Sequence, residues 1–175
     1  MEKASAPSCR ARRAATFGGV RSHRSFPVLP LSLRCARDSI ESVSRYVIDP
    51  LTLLHLVDND LDVRRDHQLV APNSIRSEAM QLLLSAVRSG ERTEREALQA
   101  HERVTELKMR LLGDRASRGT AWRIAREHDW ATLRDTEYLA IVRLQGDALV
   151  SMDPDLTARA EGIVPTASVD DLLAP

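Results

Sequence analysis

The sequence predicts an α/β fold: a mostly parallel sheet with helices on both faces, interrupted by a helical hairpin. Three observations carry that expectation. Short apolar runs, Tyr46-Val47-Ile48 and Ala148–Met152, are separated by longer segments of helical periodicity. An acidic residue closes each of those runs. Two long amphipathic segments follow each other in mid-chain without a strand signal between them.

The elements follow in order. Tyr46–Asp49 reads as a short buried strand, and Pro50 suits the first turn of a helix running to about Asn59. A polar connection rich in Asp and Arg leads to a second strand at His67–Ala71. Asn73 or Ser74 can cap a helix whose stripe is Ile75, Ala79, Leu82, Leu83 and Ala86, with Gly90 as its terminator. Thr93 and Glu96 form a capping-box pattern opening a second long helix. Its stripe runs Ala97, Ala100, Val104, Leu107, Leu111, and Gly113 ends it. A helix is expected over Ala121–Glu127 and another from Thr132 to about Leu144, stopped by Gly146. The strand Ala148–Met152, a short helix around Leu156–Ala160, a last strand at Ile163–Val164 and a terminal turn at Val169–Leu173 complete the chain.

A chain of 175 residues is long enough for one well-buried domain and short for two. Its formal charge of zero is a composite. Residues 1–45 hold nine Lys/Arg against three acids, whereas residues 46–175 hold sixteen against twenty-two. That mildly acidic body is unlike the uniformly basic surface of a nonspecific nucleic-acid binder. Residues 1–43 are rich in Arg, Ser, Ala and Pro and lack periodicity. They are expected to be a disordered or mis-annotated leader; a transit peptide has a similar composition. The folded domain is then 44–175. Cys9 and Cys35 have no paired spacing and fit a reduced cytosolic protein. No apolar run has the length of a membrane span.

Four carboxylates carry the chemistry. Asp49 and Asp153 close their strands, and in parallel sheets ligands bind at the carboxyl ends of strands. Glu78 lies three after Ile75 and four before Leu82, on the buried stripe of its helix, and Asp135 is in register with Leu139 and Val142. Four acids at one edge repel; two charges about 5 Å apart at an effective dielectric near 20 cost roughly 3 kcal/mol. A bound Mg²⁺ or Mn²⁺ removes that cost, and all-oxygen donors select these hard cations. Such an ion activates water and stabilises charge on a phosphoryl oxygen. Each acid also has a plain structural reading. Asp49 can cap the helix at Pro50, Glu78 can pair with Arg76 or Arg88, Asp135 can answer Thr132 across a capping arrangement, and Asp153 or Asp155 can cap the next helix.

At those positions the chain resembles the PIN-domain ribonucleases, in particular the VapC-type toxins of bacterial type II toxin–antitoxin systems. The resemblance rests on four ordered blocks: Tyr46-Val47-Ile48-Asp49; Pro72-Asn73-Ser74-Ile75-Arg76-Ser77-Glu78; Arg134-Asp135-Thr136-Glu137-Tyr138-Leu139-Ala140; and Leu149-Val150-Ser151-Met152-Asp153-Pro154-Asp155-Leu156. The last matches a T-x-D-x-x-L pattern with Ser for Thr. The likeness spans residue 46 to the C-terminus, and the leader has no counterpart in it. It implies a PIN-like three-layer α/β/α sandwich. It implies Asp49, Glu78, Asp135 and Asp153 as catalytic metal-binding acids for Mg²⁺ or Mn²⁺, with Ser151 as a supporting hydroxyl and Thr52 as the small residue after the first Asp. The implied activity is RNA phosphodiester hydrolysis by metal-activated water in the bacterial cytoplasm. The implied partners are an RNA substrate, a cognate antitoxin and a second copy in a homodimer, the last two also suggested by the two apolar stripes of residues 74–112.

The rival reading is a non-catalytic module that keeps the fold and works through its helical hairpin. The five histidines show no paired ligand spacing, and His101-Glu102 lacks the second His of a zinc-protease helix. Trp122 and Trp130 are expected to be packing anchors rather than base-stacking platforms. Arg64, Arg65 and Arg134 are candidates for RNA phosphate contacts, weighed against ordinary solvated arginine.

Overall fold

The computed structural model describes residues 43–174, so the expected leader lies outside the described residues up to its last position. Four strands make one all-parallel sheet in the order β3-β2-β1-β4. They are β1 (Ser44–Ile48), β2 (His67–Pro72), β3 (Arg110–Leu112) and β4 (Ala148–Val150). Six helices connect and flank them: α1 (Pro50–Asp58), α2 (Ile75–Ser89), α3 (Glu94–Glu106), α4 (Arg115–Glu127), α5 (Arg134–Gln145) and α6 (Pro154–Ala160).

The strand order divides the helices into two layers. From β1 the chain moves through α1 to β2 and through the α2–α3 hairpin to β3, always in one direction. It then returns through α4 and α5 across the whole sheet to β4. Right-handed crossovers put helices from opposite directions of travel on opposite faces. Accordingly α1, α2 and α3 pack together, while α4 packs on α5, and α5 lies along β1, β2 and β4. The result is the expected three-layer α/β/α sandwich.

Burial follows the sequence pattern. Val47, Ile48, Val70, Ala71, Leu149 and Val150 are enclosed between the layers, as continuous apolar runs in a doubly covered sheet require. In the hairpin, Ile75, Ala79 and Leu83 of α2 and Ala97, Ala100 and Val104 of α3 are buried. Gly90 at φ 81 ends α2 in the left-handed conformation that favours glycine. Thr93 and Glu96 form the reciprocal capping box that opens α3. Arg92 and Arg103 both reach Asp58, so one carboxylate ties the hairpin to α1. At Gly146 the chain passes so close to β1 that a Cβ would stand 2.7 Å from Val47 Cγ2.

Four expectations are corrected. The second hairpin helix ends at Glu106, not near Leu111, because residues 110–112 form β3 and complete the ladder along β2. An apolar stripe at helical spacing continues through this strand and conceals it. Ile163–Val164 is not a strand. The chain just beyond it touches β4 at a single parallel bridge, Leu149 to Thr166. Helix α4 begins at Arg115, capped by Asp114, well before the expected Ala121. Trp122 stands out as 59% exposed, so it is no packing anchor, whereas Trp130 packs against the core.

Candidate functional site

The sheet order creates a switch point. Connections leave β1 toward β2 on one side, while β4 arrives on the other from the opposite face, and in such sheets ligands bind beyond the carboxyl ends of the two strands that flank the switch, here β1 and β4. The register places Ile48 beside Val150, so Asp49 leaves its strand next to Ser151. The sequence at these two chain ends thereby meets across about a hundred residues.

Asp49 is 1% exposed, and its carboxylate accepts three hydrogen bonds. Its Oδ1 accepts from the Thr52 backbone N–H at 2.8 Å, which makes it the N-cap of α1. Its Oδ2 accepts from the Ser151 hydroxyl at 2.9 Å and the Asp153 N–H at 3.3 Å. The structural reading of Asp49 therefore holds alongside its position at the switch point. Thr52, also buried, links the same two strand ends: its hydroxyl donates to the Val150 carbonyl at 3.3 Å and accepts from the Met152 N–H at 3.1 Å. Ser151 accepts a bond from the Asp153 N–H at 3.0 Å. Asp153 in turn caps α6, its Oδ1 accepting from Asp155 N–H at 2.9 Å and Leu156 N–H at 3.3 Å.

The other two acids are held differently. Glu78, in the first turn of α2, accepts from Arg134 Nε at 2.8 Å, not from Arg76 or Arg88. Asp135, in the first turn of α5, is paired with Arg159 of α6, and Thr132 takes no part. Arg159 also lies over the Trp130 ring, 5.3 Å from its centroid. The charge of these carboxylates is met inside the chain by two arginines and by backbone N–H groups. Arg134 consequently enters the site as a carboxylate partner.

Between Asp49 and Glu78 stands Tyr138, which the sequence reading did not single out. Its side chain is buried, and its hydroxyl has no hydrogen bond of good geometry among the described residues. Burial, then the nearby Glu78 carboxylate, then Asp49, push its pKa far above the ordinary value of 10.0. One phenol that feels both carboxylates ties the α2 acid to the β1 acid. Its spacing three after Asp135 on one helix face is a signal from which it was recoverable.

The donors are all oxygen, which suits Mg²⁺ or Mn²⁺ rather than zinc. Asp49 accepts three bonds, and a carboxylate has about four lone-pair sites. Among the described residues no three His, Cys, Asp or Glu side chains stand together as the ligands of one ion. The donor chemistry is that of a hard-cation site, while Glu78 and Asp135 are each engaged by an arginine. Among the described residues, no helix is long and apolar enough to cross a membrane.

No family model matches the chain, and no curated protein matches it. Among solved structures, the crystal structure of PAE2754 from Pyrobaculum aerophilum is similar, with a TM-score of 0.57 and 22% identity. The match covers 73% of this chain and 92% of that one. At this identity the likeness shows a shared fold: the parallel sheet and its two helical layers are an arrangement that an archaeal chain also adopts.

Proposed function

We propose that the chain is a Mg²⁺- or Mn²⁺-dependent endoribonuclease of the PIN-domain type, acting as the VapC-like toxin of a toxin–antitoxin pair in the bacterial cytoplasm. The observation that carries this reading is Asp49: a buried carboxylate fixed at the switch point, with Ser151 and the Asp153 backbone on one oxygen. Three hydrogen bonds offset the cost of burying this charge, and about one lone-pair site is left for a further ligand. Asp49, Glu78, Asp135 and Asp153 would hold the cation, which supplies electrostatic stabilisation of a phosphoryl oxygen and activation of water.

The chain's own residues do the rest. Ser151 and the Thr52 N–H orient the Asp49 carboxylate and fix which lone pair is left free. Thr52 holds the ends of β1 and β4 at constant separation. Arg134 and Arg159, each more than two-fifths exposed, are placed to meet the phosphates of a single-stranded RNA at the rim. The antitoxin and the homodimer remain proposals that rest on the family resemblance. Leu84 and Leu98 on the hairpin are exposed, and a cleft of about 540 Å³ between α1 and α2 is lined by Leu51, Leu54, Leu82 and Leu83. Such a surface suits an amphipathic helix.

The test is cleavage of total cellular RNA by the purified chain with Mg²⁺, Mn²⁺ or chelator. Metal-dependent fragments that vanish in Asp49→Asn and weaken in Ser151→Ala support the reading. Cleavage that survives in Asp49→Asn would sink it. The rival reading, a non-catalytic module, draws on the two arginine–acid pairs, which make the edge self-sufficient without an ion. It predicts no cleavage under any condition.

A further inference from the structure

We propose that Arg134 and Arg159 are built-in counter-ions of the acidic edge, which a divalent cation has to displace, so that these two side chains set the metal affinity of the site. This rests on the metal-site reading above and adds a constraint that the acids alone do not contain.

Both acids concerned are largely enclosed, Glu78 at 18% and Asp135 at 15% side-chain exposure. Each has one arginine as its ion-pair partner among the described residues. Arg134 binds Glu78 through Nε while adjoining Asp135 in sequence, and both carboxylates favour its charge, Glu78 most. Arg159 is braced on two sides, by Asp135 and by the Trp130 ring. A guanidinium stays charged at every accessible pH, so alkali cannot take its charge from the carboxylate. Two of the four carboxylates, Glu78 and Asp135, are therefore charge-paired internally when no ion is bound.

Two consequences follow for an incoming cation. It has to break an ion pair at each acid it recruits, and it approaches a site that already carries two fixed positive charges. Both effects lower affinity, and both disappear with the arginine. The Asp49 half of the site has no such competitor, since its partners are a hydroxyl and backbone N–H groups. Metal binding is then a contest for Glu78 and Asp135 only.

The experiment measures Mn²⁺ alone binding to the full chain by calorimetry. It compares wild type, Arg134→Gln, Arg159→Gln and a control, Arg143→Gln, whose pair with Glu127 lies elsewhere at 3.9 Å. Removing an exposed ion-pair partner and one repelling charge is expected to tighten Mn²⁺ binding by about threefold or more in each site variant, and not in the control. A second readout needs no activity. In a Trp122→Phe background, Mn²⁺ should change the emission of Trp130 as Arg159 leaves Asp135, and Arg159→Gln should abolish that change. Equal affinity in wild type and both variants would overturn the inference while leaving the metal-site reading intact. Absence of Mn²⁺ binding in wild type and variants alike would overturn that reading, and this inference with it. Where a Gln variant fails to fold by circular dichroism, the Lys variant replaces it. A single-point donor should give a smaller tightening, and wild-type affinity there would count against the proposal.

Discussion

Asp49 and Glu78 serve the same acidic edge, but one is held by the fold and the other by an exchangeable partner. Asp49 is enclosed and bound by Thr52, Ser151 and Asp153, residues fixed by the ends of β1 and β4. Its environment cannot change without disturbing the central strands. Glu78 is held by Arg134, a long side chain that is 51% exposed. Water reaches the arginine end of that contact, while the Glu78 side chain is only 18% exposed. A site built this way has one rigid anchor and a compliant remainder. In the proposed nuclease the anchor would fix where the cation sits, and the remainder would decide what binds.

The largest effect should come from the anchor. Asp49→Ala removes the cap of α1 and the acceptor of the Ser151 hydroxyl, while the Asp153 N–H keeps Ser151 Oγ. A lost cap costs about 1 kcal/mol and one stranded buried group about 1–3, giving an expected loss of roughly 2–4 kcal/mol in chemical denaturation. Asp49→Asn keeps Oδ1 and should cost less than half as much. A loss below 1 kcal/mol for Asp49→Ala would show that the switch point relaxes freely and that the anchor is not rigid.

Next is Asp153, which caps α6 but is only partly enclosed. Asp153→Ala should cost about 1 kcal/mol, the ordinary value for a helix N-cap. If its loss matched that of Asp49→Ala, the division drawn here would be misplaced, and the whole β4 exit would belong to the anchor.

How much of this was legible in the sequence depends on the same division. Asp49 and Asp153 were readable because each closes an apolar run, and a parallel sheet turns chain order into a shared edge. The order β3-β2-β1-β4, which makes β1 and β4 neighbours, came from the pattern of alternating elements only in outline. The short strand at 110–112 was hidden because its leucines keep helical spacing with Val104 and Leu107. The pairs Glu78–Arg134 and Asp135–Arg159 were illegible: they join residues 56 and 24 positions apart through surface side chains with no local signature. Tyr138 lay between these cases. Its position was readable from the helix face, but its isolated hydroxyl was not.

Tyr138 sharpens the comparison because it touches both halves. Its buried hydroxyl makes no hydrogen bond of good geometry among the described residues, Glu78 being its nearest acceptor, so Tyr138→Phe should change stability by no more than about 1 kcal/mol near neutral pH. The pH dependence has a definite sign. Burial and the Glu78 carboxylate raise the folded-state pKa above the ordinary 10.0. The unfolded chain therefore loses this proton first, and the contribution present below pH 10 is lost as pH rises beyond it. Wild type should destabilise more steeply than Tyr138→Phe in alkaline unfolding. Parallel curves would mean that the phenol ionises as freely as in solvent and that its surroundings are wet.

The smallest expected effect belongs to the compliant half. A double-mutant cycle on Arg134→Gln and Glu78→Gln should give a coupling below about 1 kcal/mol, since exposed ion pairs are screened and cost side-chain entropy to hold. The coupling should shrink further as salt is raised from tens of millimolar to about 1 M, where the Debye length falls to about 3 Å. Urea melts of the four proteins at both ionic strengths give the number directly. A coupling of 2 kcal/mol or more, insensitive to salt, would place Arg134 and Glu78 in the buried class with Asp49. The edge would then be rigid throughout, and a cation would have no soft side through which to enter.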